Sequence, residues 1–235
     1  IRFPVTAVRV FAGRNSVGVR GIRMVEGDEL ISMAVLHHVD VESPDAHAYL
    51  KHATAMRRAA GDDEVDLPVS EDGDEGEAAA LSPERIAELG GAEEFLLTVS
   101  ADGMGKRSSA YDYRVMGRGN QGVAAHDLSR GIKLAASFPI EDADQIMAVT
   151  DGGQLIRFPV DTVRIASRST RGVRLIRLND GETVVAVVRI QDASDEEEGD
   201  IDDGEIIENG EAPAASSDEA AADDSGSDES GADDA

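Results

Sequence analysis

The sequence predicts an all-β fold of propeller type, built from short four-stranded blades, with a small helical insertion and a disordered acidic tail. Three observations carry that expectation. The chain opens on IRFPVTAVR (1–9) and writes nearly the same phrase again as IRFPVDTVR (156–164). A longer pattern recurs as well: FLLTVSADGMGKRSS (95–109) matches QIMAVTDGGQLIRFP (145–159), which sets Arg107 fifty residues before Arg157. Within each copy, short apolar runs are split by Gly-containing turns, the pattern of β-hairpins. About four strands in some fifty residues is the period of a propeller blade, and an internal repeat outweighs local propensity in deciding fold.

Residues 1–39 read as one blade, incomplete at its start. IRFP is the second strand of a hairpin, and Pro4 ends it because proline donates nothing to a ladder. Its hairpin partner is expected before Ile1; with no initiator Met, the chain reads as a fragment preceded by further blades. VRVFAGRNSVGV (8–19) follows, and DELISMAVL (28–36) suits a buried strand.

Residues 40–93 interrupt the repeat. SPDAHAYLKHATAMRRAAG predicts a helix, with Ser43 as cap, Pro44 at the first helical position and Gly61 as stop. SPERIAELGG predicts a second, with Ser82, Pro83 and Gly90 in the same roles. The acidic stretch between them, 62–80, is expected to be mobile.

Residues 94–144 and 145–192 form two more blades. ADG (101–103) and DGG (151–153) mark their hairpin turns. YRVMGRGNQGV (113–123) and VRIASRSTRGV (163–173) repeat the element of the first blade, which is one residue longer. Gly18, Gly122 and Gly172 stand where the backbone must bend or approach another chain segment. ETVVAVVRI (182–190) is the last predicted strand. Residues 193–235 hold too little apolar surface for a core and are expected to be disordered.

The formal charge of −26 is unevenly spread. The blades together carry +3, the insertion (37–93) −11 and the tail −18. A mildly basic body with acidic appendages suggests a nucleic-acid or membrane partner. No apolar run approaches the roughly 20 residues of a membrane span, and no leader pattern stands at the N-terminus. There is no Cys, which excludes disulfides and thiolate chemistry and fits a reducing, cytoplasmic setting. The histidines at 37, 38, 47 and 52 lack convergent metal-site geometry on one helix and a loop. GRGNQG has no Lys-Ser/Thr after it and no βα unit around it, so it is not a phosphate loop. Tyr111 and Tyr113 read as packing residues. No Ser/His/Asp set recurs with the repeat, and no catalytic centre is visible.

GKRSSAYDYRVMGRGNQGV, DADQIMAVTDGGQLIRFPVDTVRIASRSTRGVRLIRL and the acidic tail together resemble the C-terminal domain of the A subunit of bacterial DNA gyrase. The resemblance covers 1–36, 94–192 and, in style, the tail. It implies a six-bladed β-pinwheel whose blades exchange strands, of which these are the last three. It implies double-stranded DNA wrapped on a basic rim, and assembly with the rest of the gyrase A subunit, together with the gyrase B subunit, in a heterotetramer near the nucleoid. ATP and Mg would be used by parts absent here, so no cofactor is expected for this chain, and the catalytic tyrosine is absent too. The basic box of the family's first blade does not occur. The insertion is a departure and reads as a decoration. The alternatives are the equivalent domain in the A subunit of topoisomerase IV and a protein-binding propeller; the chain has no Trp, so it lacks the Trp signatures of WD and kelch repeats.

The expected DNA contacts are cations at equivalent repeat positions. Arg2, Arg107 and Arg157 share one position, with Lys106 beside the middle member. Arg14, Arg118 and Arg168 share another, Arg20 and Arg174 a third, and Arg171 lies in the loop before Gly172. Side by side on a rim they would contact phosphates without reading bases. The bland alternative for each is a solvated surface cation, with Arg9, Arg114 and Arg164 covering apolar neighbours by their stems. The tail reads either as a solubilising end or as a DNA mimic competing for the same rim.

Overall fold

Apolar alternation and tight turns place two hairpins where the sequence sets them. The computed structural model of the chain describes residues 1–61 and 81–191. Two helices come first, α1 (Ser43–Ala59) and α2 (Pro83–Gly91). Strands β1 (Phe95–Ser100) and β2 (Met104–Ser109) then pair antiparallel, with Leu97 opposite Arg107. β3 (Leu134–Ile140) pairs with the other edge of β1. In the next repeat β4 (Gln145–Thr150) pairs with β5 (Leu155–Pro159), Met147 opposite Arg157. β6 (Val173–Arg174) is short, and β7 (Val184–Ile190) lies along β4.

The sheets are not the self-contained four-stranded units that the repeat alone suggests. Their orders are β3-β1-β2-β6 and β5-β4-β7. β6 belongs by sequence to the last repeat but pairs with β2 of the repeat before, Met104 opposite Arg174 and Gly105 opposite Val173. The fourth strand of a sheet thus comes from its neighbour. β5 remains an edge, with no such strand beside it among the described residues.

Both faces of β1 are covered, so its residues are buried without alternation from Leu97 to Ser100. Leu97 and Val99 join Ile140, Ile146, Val160 and Val163 in one apolar cluster that spans the last two repeats, flanked by Phe95, Phe138 and Phe158. A fully buried side chain of this size contributes about 1.5–3 kcal/mol. A one-turn 3-10 segment stands at the same place in each repeat, Val5–Ala7, Ala110–Asp112 and Val160–Thr162, and in the last two it follows the hairpin.

The first repeat lacks the strands expected of it. It holds none among the described residues, and the Arg2 backbone makes only an isolated parallel bridge to Val115. The predicted buried strand at 28–36 is solvent-exposed, Met33 at 86% and Val35 at 80%. The reason is pairing. In the last repeat the equivalent strand, β7, lies on β4; nothing equivalent to β4 stands beside 28–36 among the described residues.

The insertion holds the two helices expected of it, with shifts at their ends: α2 runs through Gly90 to Gly91. Pro44 sits in the first turn of α1, but the cap position is Glu42, and no side chain caps the helix. Ser82 does cap α2, its Oγ accepting the Arg85 N–H at 3.2 Å. The helices pack through Tyr49, Leu50, Ala53 and Leu89 onto Tyr111 of the neighbouring 3-10 segment. Tyr111 meets Tyr49 edge-on, 5.5 Å between centroids, and its hydroxyl donates to the Leu89 carbonyl at 3.0 Å. Packing is therefore its role, as expected. The stretch 62–80 and the tail 193–235 lie outside the described residues.

Candidate nucleic-acid interface

The ten cations singled out by the repeat separate into two groups, and burial makes the division. Lys106, Arg107 and Arg168 are not on the surface: they are 0%, 7% and 5% exposed. This corrects their placement on an outer track. A buried cation is tolerated only when its donors are met, and here backbone carbonyls meet most of them, the greater part from the adjacent repeat.

Arg107 and Arg2 do the same work. Arg107 Nε donates to the Val163 carbonyl at 2.6 Å and its Nη2 to that of Asp161 at 3.2 Å, while Nη1 pairs with Asp142. Arg2 Nη1 donates to the carbonyls of Ala110 (2.7 Å) and Tyr113 (3.5 Å). Each guanidinium clasps the 3-10 segment of the repeat that follows. Burial lowers the Arg2 pKa, with Glu94 and Tyr111 opposing. The third member, Arg157, is exposed; its Nε donates to Gln145 Oε1 across the hairpin at 2.5 Å.

Arg118 and Arg168 clasp in the opposite sense. Arg168 reaches back to the carbonyls of Asp112 (3.0 Å) and Ala124 (2.8 Å). Arg118 reaches back to Ala7 (2.9 Å) and Arg20 (3.0 Å), though its side chain stays exposed. The Asp112 carboxylate secures the first of these junctions by accepting the Arg168 backbone N–H at 2.7 Å. Arg14, the equivalent in the first repeat, is exposed and its side chain makes no hydrogen bond or ion pair among the described residues.

Lys106 spends all three ammonium protons on carbonyls: Ala125 at 3.0 Å, Arg168 at 2.7 Å and Thr170 at 2.5 Å. Burial lowers its pKa to about 8, with Asp112 and Asp127 opposing. Nearby, His126 is buried beside Thr98, Nδ1 lying 3.1 Å from Oγ1. Burial, and then the Lys106 charge, hold the His126 pKa down at about 4, so the ring is neutral at pH 7.

The glycines behave as predicted. Gly18, Gly122 and Gly172 have φ of 85°, 89° and 78°, in the left-handed region that side chains avoid. At Gly172 a Cβ would also strike the Gly105 carbonyl oxygen at 2.2 Å, because β6 approaches β2 there. At Gly122 it would meet the backbone of Ile1, whereas at Gly18 it would meet nothing within 4 Å.

The surface cations are a different set. Arg20 and Arg174 are exposed, as expected of their shared position, while Arg171 is half-buried and paired with Asp102. Sequence reasoning missed Arg23 and Arg177, exposed and three residues beyond Arg20 and Arg174. The repeated spacing, RGIR at 20–23 and RLIR at 174–177, was the signal for them. The side chains of these four arginines make no hydrogen bond or ion pair among the described residues. The middle repeat has Ala124 and Asp127 at those positions but exposes Arg130 and Lys133. Among the described residues no group of three potential metal ligands occurs, and no helix is long and apolar enough to cross a membrane.

Hairpins recurring every fifty residues, with a strand passed from one repeat to the sheet of another, define a repeat domain of the β-propeller class. Residues 1–37, 94–131 and 144–191 match the family described as DNA gyrase C-terminal domain, beta-propeller, and the chain belongs to that family. The match passes over the helical insertion. The DNA gyrase A subunit of Granulibacter bethesdensis is 53% identical over 188 residues, which is 77% of this chain and 20% of that protein. The DNA gyrase A subunit of Rickettsia bellii is 40% identical over 213 residues, 89% of this chain and 23% of that protein. The chain thus spans about a fifth of the length of these relatives. A solved DNA gyrase A C-terminal domain aligns with 41% of this chain and 33% of its own, at 22% identity and a TM-score of 0.38.

Proposed function

We propose that this chain binds and wraps double-stranded DNA, without sequence preference, as part of the A subunit of a gyrase. The observation that carries the reading is the repeated pair of exposed arginines, Arg20 with Arg23 and Arg174 with Arg177, whose side chains enter no hydrogen bond or ion pair among the described residues. Duplex DNA holds condensed counterions, and each cation set on a phosphate releases some of them. Such contacts position a duplex but read no bases, which suits an enzyme acting on many sequences. Cations set on more than one repeat also offset the bending of the duplex, of order 1–6 kcal/mol for a 20–30 bp site. Lys106, Arg107 and Arg168 hold the repeats in register and stay off the DNA. Strand cleavage and the use of ATP and Mg belong to the remainder of the gyrase, to which the wrapped segment is presented in support of negative supercoiling.

The test is fluorescence anisotropy with a random-sequence duplex across a salt series. Replacing Arg20, Arg23, Arg174 and Arg177 by Ala should weaken binding at every salt concentration. It should also flatten the plot of log K against log salt by about 4, near 0.9 for each lost phosphate contact. An unchanged slope overturns the assignment.

A further inference from the structure

The charges that follow the surface arginines differ between repeats. In the first, Arg20 and Arg23 lead into Glu26, Asp28 and Glu29; in the last, Arg174 and Arg177 lead into Asp180 and Glu182. The middle repeat inverts this order. Ala124 and Asp127 stand in the arginine positions, and Arg130 and Lys133 stand where the last repeat has Asp180 and Thr183. The exchange falls at equivalent places in the fold. Both segments turn through a glycine of positive φ, Gly131 at 72° and Gly181 at 80°. Both are tied to the hairpin turn of their own repeat. The Ala101 N–H donates to the Lys133 carbonyl at 2.9 Å, and the Asp151 N–H donates to that of Thr183 at 3.0 Å.

Strand passing brings the two sets of cations together. β6 places Arg174 opposite Met104, and the N–H groups of Leu175 and Ile176 donate to the Gly103 carbonyl at 2.9 and 3.1 Å. Arg177 follows directly. The 101–103 turn is therefore bonded both to Lys133 and to the segment that carries Arg174 and Arg177, while Arg171 pairs with Asp102 in the turn itself. Arg130, Lys133, Arg174 and Arg177 are exposed, and their side chains make no hydrogen bond or ion pair among the described residues. The 151–153 turn has the opposite surroundings. Bonds from Thr183 hold the Asp151 carboxyl below its usual pKa, and bonds from Thr150 and Asn179 do the same for Glu182, so both stay charged at neutral pH.

We propose that the 101–103 turn is a phosphate clamp, where cations of two repeats grip the backbone of one stretch of duplex, and that Arg130 and Lys133 are its middle-repeat members. The clamp rests on the DNA reading above and makes the grip uneven: strong where Arg130 and Lys133 join Arg174 and Arg177, weak at the 151–153 turn with its carboxylates. Duplex DNA carries one charge per about 1.7 Å of its axis, so cations gathered at one turn can each meet a phosphate.

Fluorescence anisotropy with a random-sequence duplex over a salt series tests the clamp. R130A/K133A should flatten the plot of log K against log salt by about 2, and R174A/R177A should do the same. R130D/K133T, which writes the last repeat's residues into the middle one, should flatten it further, because a carboxylate then joins Arg174 and Arg177 at the turn. Lys51→Ala, which removes an exposed cation from α1, should leave the slope unchanged. Thermal melts of R130A/K133A should match wild type, since no bond is lost. If wild type shows no salt-dependent binding, the DNA reading falls and the clamp with it. If R174A/R177A flattens the slope and R130A/K133A does not, the clamp alone is overturned. It is overturned too if Lys51→Ala lowers the slope as much as the loss of each clamp residue, since the attraction is then to overall charge.

Discussion

Arg107 and Arg157 occupy the same place in consecutive repeats, so one substitution made at both measures what burial does to a guanidinium. Arg107→Ala removes two bonds to carbonyls and leaves Val163 and Asp161 facing a void. Bonds from a charged donor are worth about 1.5–3 kcal/mol each. The pair with Asp142 adds little, since that carboxylate is 77% exposed. The expected loss is therefore about 3–5 kcal/mol, a large share of the roughly 5–15 kcal/mol typical of a folded domain. Arg157→Ala removes an exposed side chain with one contact across its own hairpin and should fall within about 0.5 kcal/mol of wild type. Urea unfolding followed by far-UV circular dichroism gives both numbers. Equal losses at the two positions would refute the clasp, because they would mean that the arginine acts within its hairpin and not between repeats.

Gly172→Ala should cost at least about 2 kcal/mol in the same assay, combining left-handed strain with the collision at Gly105; Gly18→Ala, with strain alone, should cost about 1–2 kcal/mol. Lys106 has a folded pKa of about 8 against an ordinary value near 10.5, so between those values the unfolded chain binds a proton that the folded chain does not. Wild type should gain stability as pH rises through that window, and Lys106→Met should lose the gain, read from thermal melts at stepped pH. His126 has a folded pKa of about 4 against 6.5, so stability should fall as pH drops from 6.5 toward 4. A His126→Gln variant should show a flatter acid limb, and an NMR titration of the ring that places its midpoint near 6.5 would contradict the buried assignment. Tyr111→Phe should cost about 1 kcal/mol and raise hydrogen exchange in α2, because it removes the bond to the Leu89 carbonyl.

Much of the fold was legible because it rests on local rules. The hairpins at 101–103 and 151–153 follow from apolar runs around glycine turns. The insertion helices follow from Pro44, from the Ser82–Pro83 pair and from apolar spacing. The first repeat misled because its apolar run at 28–36 looks like any buried strand. Burial of a strand is decided by its neighbour, and a run of Leu, Ile, Met and Val carries no record of whether that neighbour is present.

The candidate site shows the same division more sharply. By itself the sequence determined the repeat, its period, the positions at which cations recur and the glycines that a positive φ demands, since each depends on residues close in the chain. Tertiary structure alone decided which cations face water. Lys106 is buried because Ala125, Arg168 and Thr170, from two repeats, turn their carbonyls on one point, and Arg107 because the next 3-10 segment lies under its guanidinium. The same residue type at the same repeat position is a clasp at 107 and an exposed side chain at 157, because among the described residues only the first has another repeat standing beside it.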